Sequence, residues 1–165
     1  MKFHPSLVSG RVDSPLGPVV IAVTDQGLAG VWFDGQKHLP DMTDWAVDDA
    51  HPMIVRAGQQ LTRYFNGEAA TFDMPLDLSG GTGFQQAVWQ ALLAIPRGAT
   101  TSYGAISANI GNPAAVRAVG AAVGRNPVSV IVPCHRVLGS DGSLTGYAGG
   151  LDRKIALLQL EGVLL

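Results

Sequence analysis

Cysteine is the scarcest chemistry in this chain: one residue, Cys134, in 165, which excludes an internal disulfide. That lone thiol and four scattered histidines, His4, His38, His51 and His135, offer no metal-ligand spacing. The glycine run Gly80-Gly81-Thr82-Gly83 lacks the lysine of a phosphate loop. Neither a metal nor another cofactor is therefore expected. No stretch approaches the roughly 18 apolar residues needed to span a bilayer. The start, Met1-Lys2-Phe3-His4-Pro5, has no apolar core of the signal-peptide kind. With one cysteine, a cytoplasmic, reducing location away from membranes is expected.

What is present is enough apolar residue, 47%, for a real core in one ordinary domain or in two small lobes. The formal charge of -2 conceals an asymmetry. Residues 1–83 carry five basic residues against nine Asp and one Glu, a net -5, whereas residues 84–165 carry six against three, a net +3. The basic half is also the half with the cysteine. That excess suits a phosphate-facing surface, although ordinary charge scatter accounts for it equally well.

The first half reads as strands. Val8–Val12, then residues 19–23 and 28–33, are β-branched or apolar runs separated by Ser14-Pro15-Leu16-Gly17 and Asp25-Gln26-Gly27, which predicts an antiparallel meander. Residues 34–51 are acidic and aperiodic, a long surface loop. Pro52 opens a helix whose face carries Ile54, Val55, Leu61 and Phe65, and which ends at Asn66-Gly67. Residues 68–83 read as the joint between two lobes, 1–83 and 84–165.

After the joint the period changes to helical. Phe84, Val88, Ala91, Leu92 and Ile95 share a face, and Pro96-Arg97-Gly98 ends that helix. Thr101 or Ser102 can cap a short helix over residues 103–110, Gly111-Asn112-Pro113 turns, and residues 114–124 form the next helix. This is helix-turn-helix spacing, although spacing alone favours an ordinary helical hairpin. Two details favour nucleic acid: the second helix is almost all small residues, and Arg117 is its only charge. Small side chains let a helix lie close to a duplex, where one arginine can enter the base stack or reach a phosphate; a surface ion pair is the alternative for Arg117. Residues 151–160 form a last helix ending at Glu161-Gly162.

Between these helices stands Ile131-Val132-Pro133-Cys134-His135-Arg136-Val137. Residues 130–132 read as a short buried strand halted by Pro133, so Cys134 sits where a rigid frame ends. A lone cysteine is also often just a small buried hydrophobe. As a nucleophile it would need a base, which His135 could be, and a third group to orient that base. The second half holds three carboxylates. Asp141 reads as a turn residue and Asp152 as a helix-start residue, leaving Glu161, which on pattern alone also reads as a solvated acid at a helix end. Asn126, before Pro127, could fix the turn leading to the cysteine. Residues 139–150, with five glycines around Tyr147, read as a loop whose backbone can approach a ligand.

Pro133-Cys134-His135-Arg136-Val137 resembles the active-site motif of the O6-alkylguanine-DNA alkyltransferases. Phe84-Gln85-Gln86-Ala87-Val88-Trp89, Ile95-Pro96-Arg97-Gly98, Thr101-Ser102-Tyr103, Gly111-Asn112-Pro113, Arg117-Ala118-Val119-Gly120, Asn126-Pro127, Leu144-Thr145-Gly146-Tyr147-Ala148-Gly149-Gly150-Leu151 and Leu160-Glu161-Gly162 are similar to that family in the same order. The likeness is weaker through Asp13-Ser14-Pro15-Leu16-Gly17.

The resemblance implies an α+β chain: an N-terminal, ribonuclease H-like antiparallel sheet with a helix, and a C-terminal helix-turn-helix lobe. It implies irreversible repair in which a damaged guanine, and O4-alkylthymine besides, is flipped out of double-stranded DNA and Cys134 takes its alkyl group. A relay of Cys134, water, His135 and Glu161 would make the thiolate. Tyr103 would donate to the base, Arg117 would fill the vacated stack, and Asn126 would be the hinge bracing the helix. Ala115, Ala118, Gly120 and Ala121 would lie along the DNA. Pro133, Val137, Tyr147 and Ala148 would line the pocket, with backbone groups of Val137 and Ala148 reading the guanine. The protein would act without a cofactor as a monomer, with cooperativity along DNA left open. Val116 stands where the family commonly has a smaller residue, and the zinc-binding cysteines of some members are absent. A binder that flags alkylated bases for other repair factors is an alternative, as is a cysteine hydrolase, for which the alanine-rich helix would have no purpose.

Overall fold

Three apolar, β-branched runs closed by Gly, Pro and Asp turns form an antiparallel meander of β1 (Val8–Val12), β2 (Val19–Thr24) and β3 (Gly27–Phe33). The computed structural model describes residues 1–68 and 71–165, so residues 69–70 of the expected 68–83 joint lie outside it. Both β2 and β3 are buried along their whole length, which is why they read as unbroken apolar runs and not as alternation. The 34–51 loop contains one regular piece that its sequence does not announce. Residues Ala46–Val47 (β4) pair in parallel with Val8 and Ser9, giving the order β3-β2-β1-β4. Two exposed residues are too few to show a period.

Helix α1 (Pro52–Phe65) starts as the proline suggests, and the His51 side chain accepts from Met53 N at its N-cap. Its buried stripe is Ile54, Ala57, Gly58, Leu61 and Tyr64. The face is thus rotated from the expected one: Val55 is exposed, and Tyr64, not Phe65, points inward. Small residues at positions 57 and 58 decide this, since they let α1 approach β2, and a Cβ on Gly58 would stand 2.8 Å from a Val12 methyl carbon.

Helix α2 (Gly83–Leu93) opens on a capping box in which the Thr82 hydroxyl accepts from Gln85 N at 3.1 Å and the Gln85 side chain accepts from Thr82 N at 2.9 Å. The glycine run before it therefore serves a helix start. A Cβ on Gly81 would meet the Trp89 ring at 2.3 Å, and that fully buried indole donates to Ala122 O at 2.8 Å. This bond ties α2 to α4 (Val116–Gly124), which follows α3 (Tyr103–Asn109) through a turn with Gly111 at φ +79°. Ser102 caps α3, and α4 begins two residues later than expected, with Ala115 at its N-cap and no side-chain cap bond.

The cysteine segment departs from expectation. Residues 130–132 form a turn in which Val130 adopts φ +72°, a left-handed conformation that is costly for a β-branched residue. Only Val128 is strand-like, bridging in parallel to Val31 of β3. The Asn126 amide explains the rest: its Nδ2 donates to Val132 O at 2.8 Å and its Oδ1 accepts from Val128 N at 3.0 Å. Those bonds occupy the backbone groups a ladder would use. A 3₁₀ turn over Cys134–Arg136 follows, then β6 (Val137–Leu138) pairs in parallel with β5 (Thr101–Ser102), and α5 (Leu151–Leu160) closes the chain against the 3₁₀ turn. The class is α+β as expected, and no helix is long and apolar enough to cross a membrane among the described residues.

Candidate active site

Two layers meet at the 3₁₀ turn: a cavity above Cys134 and a buried polar cluster beneath it. The cavity, of about 270 Å³, is lined by Tyr103 of α3, Gly120, Val123 and Gly124 of α4, Cys134, and Gly146, Tyr147 and Ala148 of the glycine-rich loop, with Lys37 and His38 from the loop after β3. Of the expected residues it brings together Cys134, Tyr103, Gly120, Tyr147 and Ala148. Pro133 and Val137 are buried but are not among the lining side chains. Pro133 caps the 3₁₀ turn at its start, and Val137 after it is already in β6, where its carbonyl accepts from Lys154 Nζ at 2.6 Å. The Ala148 carbonyl accepts from Lys37 N at 2.9 Å, so each carbonyl keeps one lone pair for another donor.

Cys134 is 5% exposed, and burial pushes its thiol up from the ordinary value. Asn126 Nδ2, 3.2 Å from Sγ, opposes that shift, as does the positive field of Lys154. The bond from Val128 N to Asn126 Oδ1 settles which end of the amide faces the sulfur. Thus the site holds a neutral thiol with donors ready for its anion.

Beneath the thiol, His135 is fully buried and its Nε2 lies 2.7 Å from Glu161 Oε2. Burial alone would raise the Glu161 carboxyl, but hydrogen bonds from His135, Arg136 and Tyr64 outweigh it and hold the group well below the carboxylate range. Arg136 donates from Nε to Oε1 at 2.7 Å and from Nη2 to Oε2 at 2.9 Å, a bidentate pairing that matches the charge of the carboxylate. Burial lowers His135, and Arg136 and Lys154 add to that against the pull of Glu161. His135 is therefore neutral, donating from Nε2, which leaves Nδ1 a lone-pair acceptor with no protein partner among the described residues. The acid that pattern alone could place in solvent is the centre of the cluster.

Helix α4 buries Val119, Ala122 and Val123 and, outside the cavity lining, exposes Val116, Arg117, Ala118 and Ala121. Ala115 is half-buried, and Gly120 faces the cavity beside the Tyr103 ring. The small outward face has one cation, Arg117. Thr145 Oγ1 donates to the Tyr103 hydroxyl at 3.0 Å, which leaves the phenol proton free to donate into the cavity.

Sequence reasoning missed Lys154, Arg136 and Tyr64. Lys154 is fully buried, donates to Val137 O and Thr145 O, and has no carboxylate partner among the described residues. It was detectable as a lysine three and four residues before Leu157 and Leu158, on the inward stripe of α5. Replacement by methionine keeps the apolar stem and removes the cation. Lys154→Met is expected to raise the pH at which the Cys134 thiolate forms, and to cost about 1–3 kcal/mol for the carbonyls left without their donor. The pH dependence of thiol alkylation and urea unfolding check both; an unmoved thiol titration contradicts the electrostatic part.

The sequence models of two domains match this chain: the 6-O-methylguanine DNA methyltransferase ribonuclease-like domain over residues 7–78 and its DNA binding domain over residues 83–163. A methylated-DNA–protein-cysteine methyltransferase of Mycobacterium tuberculosis is 51% identical over 150 residues, covering 91% of this chain and 89% of the relative. One of Methanosarcina acetivorans is 49% identical over 151 residues, covering 91% and 95%. Among solved structures, Mycobacterium tuberculosis OGT in complex with DNA superposes with a TM-score of 0.85 at 49% identity, over 93% of this chain and 92% of that one. With both halves matched, in sequence and in fold, around the single cysteine, this chain belongs to the 6-O-methylguanine DNA methyltransferase family.

Proposed function

We propose that this protein repairs DNA by direct reversal, moving the alkyl group of O6-alkylguanine, and of O4-alkylthymine, irreversibly onto Cys134. The observation that carries the reading is the cysteine at the floor of a base-accepting cavity, with a neutral His135 held on Glu161 beneath it. The target oxygen is buried in a duplex, so the nucleotide turns out of the stack into the cavity, a step that costs less at a damaged pair. The exposed face of α4, with Ala115, Ala118 and Ala121, lies in the groove, and Arg117 occupies the vacated place in the stack.

Beneath the cavity, His135 Nδ1 takes the thiol proton through a bridging water, and Asn126 and Lys154 stabilise the thiolate. Sγ attacks the alkyl carbon, so an S–C bond forms as the C–O6 bond breaks and its electron pair passes to the purine. Tyr103 donates a proton to the departing base. His135 then releases to solvent the proton it took from the thiol as Tyr103 regains one, so the protons balance, and the thioether left on Cys134 cannot turn over. Each monomer therefore acts once, without a cofactor. We place the division of labour near residue 83, the sheet half before it and the DNA-reading half after it, and the protein's setting in the cytoplasm, where the thiol stays reduced.

Incubation with duplex carrying a labelled O6-methylguanine is expected to place one label per protein on Cys134, and Cys134→Ala to abolish transfer while retaining DNA binding. Label that stays on the DNA would identify a lesion-flagging binder instead, and product in severalfold excess over protein would disprove the single-use mechanism.

A further inference from the structure

The acidic first half of the chain reaches the polar cluster through one side chain. Tyr64, in the last turn of α1, is 2% exposed and its hydroxyl donates to Glu161 Oε2 at 2.5 Å across 97 positions of sequence. The same oxygen accepts from His135 Nε2 at 2.7 Å and from Arg136 Nη2 at 2.9 Å, so three donors share it. The ring is held independently of that bond: Phe65 and Phe72 pack against it with centroids at 5.4 and 5.7 Å, and the Arg97 guanidinium lies 5.4 Å over its face. Arg97 is in turn anchored by donation to Glu68 O and Leu160 O. Such bracing is more than the filling of space requires; it sets the hydroxyl on a chosen carboxylate oxygen.

We propose that Tyr64 is a positioning residue for alkyl transfer, taking a share of Glu161 Oε2 and thereby setting how strongly His135 attracts the proton of Cys134. The inference rests on the reading that Cys134 is the alkyl acceptor. Each donor on a carboxylate oxygen draws off negative charge, and His135 Nε2–H competes with the phenol for what remains. Without the phenol, Glu161 polarises the imidazole more, and Nδ1 holds a proton more tightly. The charged and titratable groups around this pair are Arg136 and Cys134 from the 3₁₀ turn, Lys154 from α5, Tyr64 from α1, the buried Tyr147 phenol from the glycine-rich loop, and Arg97 beyond the Tyr64 phenol from the segment after α2. Burial, with Arg136 and Lys154 adding to it, keeps His135 neutral at rest, and among these groups Glu161 is the anion that opposes them. Burial and then Glu161 push the Tyr64 phenol far up, so it stays a donor through the neutral range.

Tyr64→Phe keeps the ring and removes the bond. In the full-length protein, the single-turnover rate of methyl transfer from an O6-methylguanine duplex is expected to show its acid limb moved to higher pH by about half a unit or more. NMR titration of the His135 ring should show the same upward shift without any DNA. Site-specific 3-fluorotyrosine at position 64, a stronger donor of almost the same shape, should move both readouts the other way. If Tyr64→Phe lowers thermal stability but leaves the acid limb and the His135 titration where they were, the residue only packs and the proposal is overturned; opposite shifts for the two substitutions support it. A parent protein that transfers no label to Cys134 overturns the alkyl-transfer reading instead, while the ring titration still reports on Tyr64.

Discussion

Glu161→Gln is expected to cost the protein about 3–5 kcal/mol of stability and to reduce alkyl transfer to near the limit of detection. The glutamine fits the space but removes the charge that Arg136 matches with two hydrogen bonds and that fixes the His135 tautomer. The Glu161 side chain is fully buried and that of Arg136 is 11% exposed, so water cannot replace what is lost. The sign of the pH dependence follows from the shifts. Glu161 is lowered from 4.5, so its contribution is fully present above that value and fades as the pH falls below it. His135 is lowered from 6.5, so its contribution too is present above 6.5 and fades on acidification. Urea unfolding of parent and variant should therefore differ most near neutrality and converge in acid. A gap that stays constant down to strongly acid pH would show that the carboxylate is not charged in the folded state.

Arg117→Ala is expected to slow repair of duplex DNA by about a hundredfold while leaving stability, and reaction with a free O6-alkylguanine base, unchanged. Arg117 is exposed on α4 among small residues and makes no ion pair among the described residues, so folding does not depend on it. In the proposed mechanism it holds open a flipped state that costs a few kcal/mol to form, and each 1.4 kcal/mol is roughly tenfold in rate or population. The free base needs no flipping and bypasses that cost. Equal loss on both substrates would remove the stack-filling role and assign the arginine to the cavity itself.

How much of this was legible in the sequence varies with the range of the interaction responsible. The α2 cap was hidden in a glycine run that invited comparison with a phosphate loop, yet Thr82 and Gln85 are three residues apart and their box is readable locally. The strand expected at residues 130–132 failed because the competing bonds come from the Asn126 side chain, whose target carbonyl is six residues away. The face of α1 was misjudged because burial there is decided by the approach of β2, not by the period of α1 alone. Arg136 and Lys154 were counted as surface charge, since composition does not say which cation will meet a buried partner.

By itself the sequence determined the order and type of the main elements, the uniqueness of the thiol, the histidine beside it and the small outward face of the second short helix. These depend on periodicity, turn chemistry and adjacency, which act within a few residues. Tertiary structure alone decided that Glu161 is buried under His135 and Arg136, that Lys154 projects its charge toward Cys134, and that Tyr64 reaches the same carboxylate from the other half of the chain. The charge state of a carboxylate, an imidazole or a thiol depends on every dipole and ion packed around it, and that arrangement exists only once distant segments have come together.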